Sequence, residues 1–572
     1  MCPTKSTGGD TMFLIRLVEY AESQPAIAPT LYAPTPIGWV IDLDSQGKPL
    51  GVVNLHTTPA KGRPQPLIKH APALGNLRTS GIAPQLFCDN GGYVLGITPQ
   101  GKKANRIQEQ HEAFKQLVKQ CAAKVGRPEV QAVVQFYDCH FGKLTLPQDY
   151  DPAENITFRV DMQWVIDLPE VQAFWIEYAK KEHELEGGDM ECLVCGQPKP
   201  TTRRHLVPIK GLPGGQPSGT SLISANEDAF ESFGLKEGFV SPICLECSEL
   251  AAKALNHLIA DPNTHLTLGG VVYCFWTRQA QTFNPVSFLS QPDPEDVKRL
   301  ISSVRTGASA AVQAPDFYAV ALSANSSRVV VRSYVELTVA EVEANIRRWF
   351  QNQSLLASSQ GDDKPLGVFA LAKSLFRESK DIPDHVPETL IRCAITGAPL
   401  PLSLLEMAVR RCRVEQGVSY ERAKLIKLIL SSHGSHNPPL KEAMTMLNRD
   451  WNDPAYKCGR LLAVVERIQS AAIGNPNATL TDKYYGSAST TPASVFGVLL
   501  RQTQNHLSKL RKQNEGLAIW LEREMMNAMP DRLPKTLSLE AQGLFALGYY
   551  HQRSEFFKPK SESKEVSNDD DH

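Results

Sequence analysis

Strand-like alternation fades from the sequence at about residue 390, and apolar stripes at helical spacing take its place. The stretch from Tyr456 to Phe496 is the clearest case. Leu461, Val464, Val465, Ile468 and Ala472 recur on one helical face, and Gly474, Asn475 and Pro476 then stop the helix. An ordered polar loop follows, and Ser494 or an earlier Thr restarts the next helix. Further helices are predicted over 401–415, 420–431, 454–473, 491–514, 516–529 and 538–551, which makes 391–557 an all-α bundle.

Residues 12–390 carry mixed signals. Segments 38–43, 93–97, 134–138 and 156–160 read as strands, and 319–335 reads as a hairpin turning at Ala324–Ser327. Helices are predicted near 104–124, 168–183, 246–260, 294–304 and 339–352. The fold class expected is therefore α+β: an irregular mixed N-terminal domain with a zinc-knuckle-like insertion at 192–247, then the helical bundle. Segments 358–365 and 378–387 are the expected linkers, 1–11 an N-terminal extension and 558–572 a disordered, charged tail. No apolar run approaches the roughly 20 residues of a membrane span. The N-terminus lacks the apolar centre of a secretory signal, so a cytoplasmic location is expected.

Of twelve cysteines, eight are isolated, as suits reduced buried thiols. The other four form the pairs Cys192/Cys195 and Cys244/Cys247, with 48 residues between them. Each CxxC turn presents two thiolates on one side, and two such turns supply the tetrahedral set of a structural Zn²⁺. Reduced thiols in a loop are the plain alternative. His205-Leu-Val-Pro, a Gly-Gly turn and Asn226 between the pairs resemble a zinc-stapled HNH endonuclease. Such an enzyme needs an acid or His beside its general base, but Arg204 stands there and cannot ligate a cation. No other catalytic motif stands out, so no enzymatic activity is expected.

Net charge is only −1, but its distribution is uneven. Residues 45–107 hold eight Lys/Arg against one acid, Asp89, and residues 192–226 hold four Lys/Arg and no acid. Clustered cations bind polyanions through counterion release. Three places are candidates. Asn76, Arg78, Thr79 and Ser80 precede a glycine and could reach base edges, a role shared with the loop bearing Arg203, Arg204, His205 and Lys210. Hairpin residues Asn325, Arg328 and Arg332, with Phe317, Tyr318 and Tyr334 nearby, suit single-strand stacking, although buried strands with surface arginines fit equally. In 493–514, Arg501, Asn505, Ser508, Lys509 and Lys512 lie away from the apolar face, and 401–415 repeats the pattern with Arg410, Arg411 and Arg413 outward.

The wording of several blocks carries a family resemblance: 456–496, HLSKL at 506–510, LGYYHQR at 547–553, RTSGIAPQLFCDNGGYVLG at 78–96, 206–234 and 317–336. They resemble the large subunit of the type I-C CRISPR surveillance complex, Cascade. The resemblance implies a non-catalytic DNA-binding protein whose N-terminal domain recognises the motif flanking the target (the PAM), helps unwinding and stabilises the R-loop. It implies as partners the Cascade backbone and crRNA-processing subunits, crRNA, duplex target DNA with its displaced strand, and a recruited helicase–nuclease. It also implies a small subunit translated from an internal start, here Met444 or Met446. An HNH-like endonuclease and a purely structural scaffold are the alternatives.

Overall fold

The computed structural model describes residues 9–57, 64–74, 81–97, 104–183, 185–225, 227–278, 283–302, 316–355, 363–433, 444–474 and 479–556. Asn76, Arg78, Thr79, Ser80, Asn226 and the charged tail lie outside them. The chain forms two compact units, Met1–Asp261 with Leu322–Tyr334, and Pro262–Ala321 with Val335–His572. The boundary expected at residue 390 falls inside a helix of the second unit. Among the described residues no helix is long and apolar enough to cross a membrane.

The first unit is organised by one long strand, β1 (Tyr32–Leu43). Its first half pairs antiparallel with β3 (Leu67–Pro72) and its second half with β2 (Pro49–Asn54). Its other edge runs parallel to β5 (Asn155–Val160), which carries β4 (Cys88–Asn90) and β6 (Gln163–Trp164). Ile37, Trp39, Val40, Ile41 and Leu43 are all buried, as a β-rich run covered on both faces requires. The packing helices are α1 (Gly9–Ser23), α2 (Gly91–Val94), α3 (Ala104–Lys124), α4 (Pro128–Gln135), α5 (Pro169–Glu182) and α6 (Leu245–Ala260). A two-stranded ribbon, β7 (Glu186–Glu191) with β8 (Pro198–Thr202), completes the unit.

Two expected strands are helical. Segment 93–97 begins inside α2, where Asn90 Oδ1 accepts from the Gly92 amide at 3.0 Å. A Cβ at Gly91 would lie 2.5 Å from Tyr150 Oη, so the Gly-Gly pair admits a helical turn against that ring. Segment 134–138 finishes α4 and enters a π-helical turn over Phe136–His140. That turn buries Phe136 and Tyr137 together, both rings 6.0 Å from Phe158, where strand geometry would send them to opposite faces.

The second unit opens with a four-stranded sheet in the order β12 (Arg328–Leu337), β11 (Phe317–Asn325), β10 (Val271–Thr277), β9 (His265–Leu268). The tip of its β11–β12 hairpin, residues 322–334, counts with the first unit. Helices α7 (Pro285–Ser290), α8 (Pro294–Ser302), α9 (Val339–Gln353), α10 (Val368–Lys373), α11 (His385–Thr396), α12 (Leu402–Glu415) and α13 (Tyr420–His433) follow. The bundle ends with α14 (Pro454–Ile473), α15 (Leu480–Ala488), α16 (Pro492–Gln513), α17 (Glu515–Ala528) and α18 (Leu539–Glu555). Helix α15 occupies part of what reads as a polar loop. It starts at a capping box, with Thr479 accepting from the Asp482 amide and the Asp482 carboxylate accepting in return.

Helices α14 and α18 touch backbone to backbone. A Cβ at Gly459 would sit 2.0 Å from the Phe545 carbonyl oxygen, and one at Gly548 would sit 2.1 Å from that of Tyr456. Beside this contact Arg460 is fully buried, donating to Gln552 Oε1 at 2.9 Å and Asn527 Oδ1 at 2.6 Å. Tyr456 Oη lies 2.9 Å from His551 Nδ1, and burial holds that imidazole neutral, its pKa lowered to about 3. Alanine is a better helix former than glycine by about 1 kcal/mol. Gly459→Ala and Gly548→Ala should nevertheless lower the denaturant midpoint of the full chain, because overpacking costs on the order of 1–3 kcal/mol or more. Unchanged or raised midpoints would show that the helices can separate freely.

Candidate metal centre and nucleic-acid interface

The two CxxC turns converge from separate elements. The first sits in the tip of the β7–β8 ribbon, where Gly196 takes φ +67 and its amide donates to the Cys192 carbonyl at 2.8 Å. Glycine meets that left-handed conformation without a Cβ penalty. The second opens α6, with Cys244 as its N-cap residue and Cys247 in its first turn. The Thr202 amide donates to the Ile243 carbonyl at 3.0 Å, and the Cys244 amide donates to Cys192 Sγ at 3.4 Å. These bonds bring the four sulfurs within 4.8 Å of one another. A tetrahedral ion with metal–sulfur bonds of about 2.3 Å needs sulfurs roughly 3.8 Å apart. Cys192, Cys195, Cys244 and Cys247 therefore fit, and could together hold a metal ion.

The electrostatics favour the thiolate at one position, Cys244. Hydrogen bonding from Cys247 pulls the Cys244 thiol down to about 5, helped by the Cys247 amide and Lys199, while Cys247 as donor is pushed up. Cys195 is pushed up, chiefly by burial. Glu246, between the second pair, anchors Lys199 at 2.8 Å and Lys180 at 3.7 Å. Helix α6 is in turn clamped to the chain just before β1. Glu249 accepts from the Leu31 amide at 2.9 Å and pairs with Lys253 at 2.7 Å, and Lys253 Nζ donates to the Pro29 carbonyl at 2.6 Å.

The loop between the cysteine pairs places Arg203, Arg204 and Lys210 at the surface. Its acid-free sequence is not an acid-free neighbourhood. Arg203, Arg204 and His205 line a cavity of about 440 Å³ together with Glu227, Asp228, Glu231 and Glu237. Arg204 pairs with Glu237 at 3.3 Å. Burial lowers the His205 pKa to about 4, and its Nε2 is buried without a hydrogen-bond partner among the described residues. A charge count that stops at residue 226 misses these acids, which begin one residue later.

The other candidates separate. On the hairpin, Asn325 is exposed beside Ser326, whose φ is +55. The Arg328 guanidinium lies 4.0 Å from the Phe230 ring centre, and Arg332 Nε donates to Ser323 Oγ at 2.9 Å. Phe317 and Tyr318 are buried, Arg328 is half-buried and Arg332 exposed, and Tyr334 packs on Phe13. On α16, Phe496, Leu499, Thr503, Leu507 and Leu510 are buried, while Arg501, Asn505, Ser508, Lys509 and Lys512 share the exposed face. On α12, Arg410 is exposed, but Arg411 turns into an ion pair with Glu415 at 2.6 Å with only 19% of its side chain exposed, and Arg413 is half-buried. In the basic stretch 45–107, Lys69 pairs with Asp167 at 2.7 Å, whereas the single acid, Asp89, is buried and accepts from the Gln85 and Asn90 amides.

These features define an α+β protein with a four-cysteine centre able to hold a metal ion. The family model of CRISPR-associated protein (Cas_Csd1) matches residues 14–557, and the chain belongs to this family. No curated protein matches it. The purified chain should carry a stoichiometric thiophilic metal by elemental analysis, and a strong chelator should lower its thermal midpoint. Cys192→Ser and Cys247→Ser should each abolish retention. Metal-free protein with the same midpoint as untreated protein would mean the four thiols need no ion.

Proposed function

We propose that this chain is the large subunit of type I-C Cascade, a binding protein that recognises the PAM in duplex target DNA, helps to unwind it and stabilises the R-loop. The carrying observation is the family match, which spans both units of the fold. The guide RNA reads the target by base pairing, so the protein need read only the short flank and hold the strands. In the first unit, residues 76–80 and the loop at 200–226 take the PAM duplex, with Arg203, Arg204 and Lys210 at the surface and Zn²⁺ in the four-cysteine centre bracing the segment that carries these three. In the second, the exposed stripe of Arg501, Asn505, Lys509 and Lys512 tracks the displaced strand. The work is binding rather than cleavage. Partners are the backbone and processing subunits, crRNA and a recruited helicase–nuclease in the cytoplasm.

The test is duplex binding by the complex reconstituted with a guide, on targets that differ only in the flanking three base pairs, at two salt concentrations. Discrimination between flanks should require this chain, and Arg203→Ala with Arg204→Ala should weaken binding and flatten its salt dependence. Tight binding that is blind to the flank would make the chain a scaffold. Metal-dependent cutting lost in His205→Ala would make it a nuclease.

Met444 or Met446 also starts a separate small subunit. Met444 is fully buried and Met446 half-exposed. Such a fragment would keep the α14–α18 contact but uncover the side of α18 where a Cβ on Gly543 would lie 3.2–3.4 Å from Leu405, Leu430 and Ile426. Replacing both codons with Leu preserves core volume, since Leu and Met exchange cheaply. The short product should then disappear from a gel while the full chain remains, and its persistence would refute the internal start.

A further inference from the structure

Arg203 and Arg204 directly follow β8, and the chain that returns past them is fixed by its backbone. The Gly238 amide donates to the Arg203 carbonyl at 3.0 Å. A Cβ at Gly238 would lie 2.1 Å from the Thr202 carbonyl oxygen and 3.0 Å from that of Arg203, so only glycine lets the returning chain run this close. The next residue is seated too, since a Cβ at Gly187 of β7 would lie 2.0 Å from the Phe239 ring. On the other side of Gly238, Glu237 takes φ +49, a left-handed conformation that a residue other than glycine rarely adopts. Its carboxylate meets the Arg204 guanidinium at 3.3 Å. Backbone strain of this kind persists where the surroundings enforce it, and it gathers at functional sites.

The ion pair itself does little for folding. The Arg204 side chain is 81% exposed and that of Glu237 40%, and pairs this open to water are weak. Nearby charges do not release Arg204. Lys236 pairs with Glu231 at 3.5 Å, and Glu227 and Asp228 stand exposed on the same cavity. Of the three cations expected at 203–205, Arg204 is paired and His205 is uncharged because burial lowers its pKa to about 4, which leaves Arg203.

We infer that Glu237 is a built-in counterion for Arg204 that keeps the loop's grip on DNA phosphate weak whatever the sequence. A phosphate that takes Arg204 must displace Glu237, and the freed carboxylate then recruits a cation from solution. That uptake offsets one counterion released from the DNA, so the contact adds little to affinity or to its salt dependence. Base reading is untouched, because phosphate contacts position a protein without carrying sequence. A weak general grip lets wrong flanks go quickly, since affinity differences among related complexes lie mostly in dissociation. The inference rests on the duplex-binding role proposed above and assigns to Glu237 the restraint on its sequence-blind part.

The test uses the reconstituted, guide-loaded complex carrying wild-type chain, Glu237→Gln, Glu237→Asp, or Glu237→Gln together with Arg204→Ala. Duplexes with a favoured and a disfavoured flank are titrated at several salt concentrations. Glu237→Gln should bind both about two- to fivefold tighter at low salt, with a log–log salt slope steeper by about one and the ratio between flanks unchanged. It should also leave the disfavoured flank more slowly. Glu237→Asp keeps the charge and tolerates the left-handed backbone, and should behave as wild type. Removing Arg204 as well should return the slope to the wild-type value. Wild-type affinity and slope in Glu237→Gln, or a gain that survives the loss of Arg204, would overturn the inference. So would a changed flank ratio, which would make Glu237 a base-reading residue, and so would weak binding or failed assembly in both the Gln and Asp variants, which would make it structural. A wild-type complex blind to the flank would instead sink the recognition role, while the salt slopes would still report on Glu237.

Discussion

The approach of two helix backbones at Gly459 and Gly548 is the constraint on which the C-terminal unit depends. Once α14 and α18 lie that close, neighbouring side chains on both helices are sealed from water and their polar groups must find partners inside. Arg460 meets Gln552 and Asn527, Tyr456 meets His551, and Tyr549 Oη donates to Glu466 at 2.7 Å. A buried network of this kind favours one register between the helices, although His551 Nε2 stays without a hydrogen-bond partner among the described residues. The words CGR and LGYYHQR are therefore a single physical statement, two glycines that permit contact and the polar residues that the contact buries.

The first unit solves a different problem. Its long interknuckle loop is irregular and buries only a few apolar side chains, Ile209 and Leu212 among them, and its shape is further set by the four cysteines, the clamp from Glu249 and Lys253 to the chain before β1, and the stacking of Arg328 on Phe230. Arg328 thereby acts as a strut for the loop that carries Glu237. The cysteines close the segment at its two ends, buried Ile209 and Leu212 seat its middle, and Arg328 props the part around Phe230.

How much of this was legible in the sequence depends on the range over which each signal acts. Helices of 3.6 period were readable almost residue by residue, because burial of one face writes the period directly into the chain. The cysteine centre was readable too, since two CxxC turns have few other reasons to occur together. Segments 93–97 and 134–138 were misread because short apolar runs look alike in strands and in tight helical turns, and Tyr150 and Phe158, which decide between them, lie far away in sequence. Helix α15 had a legible start in the capping box of Thr479 and Asp482 but a polar body. The acids facing Arg203 and Arg204, and the positive φ of Glu237, belong to tertiary placement and left no local trace beyond Gly238. Residues 76–80 lie outside the described residues.

The hairpin tip that completes the first unit has a consequence for the order of synthesis. Residues 322–334 belong with a unit whose remainder ends at Asp261, and the intervening sixty residues of chain, 262–321, belong to the other. A nascent chain can therefore form the sheet around β1 and gather its four cysteines early. Arg328 reaches Phe230, and the Ser221 amide its partner at Ser327, only after residue 334 has been made. Until then the loop that carries Glu237 lacks its strut, so the N-terminal unit matures only when part of the following unit has already been translated.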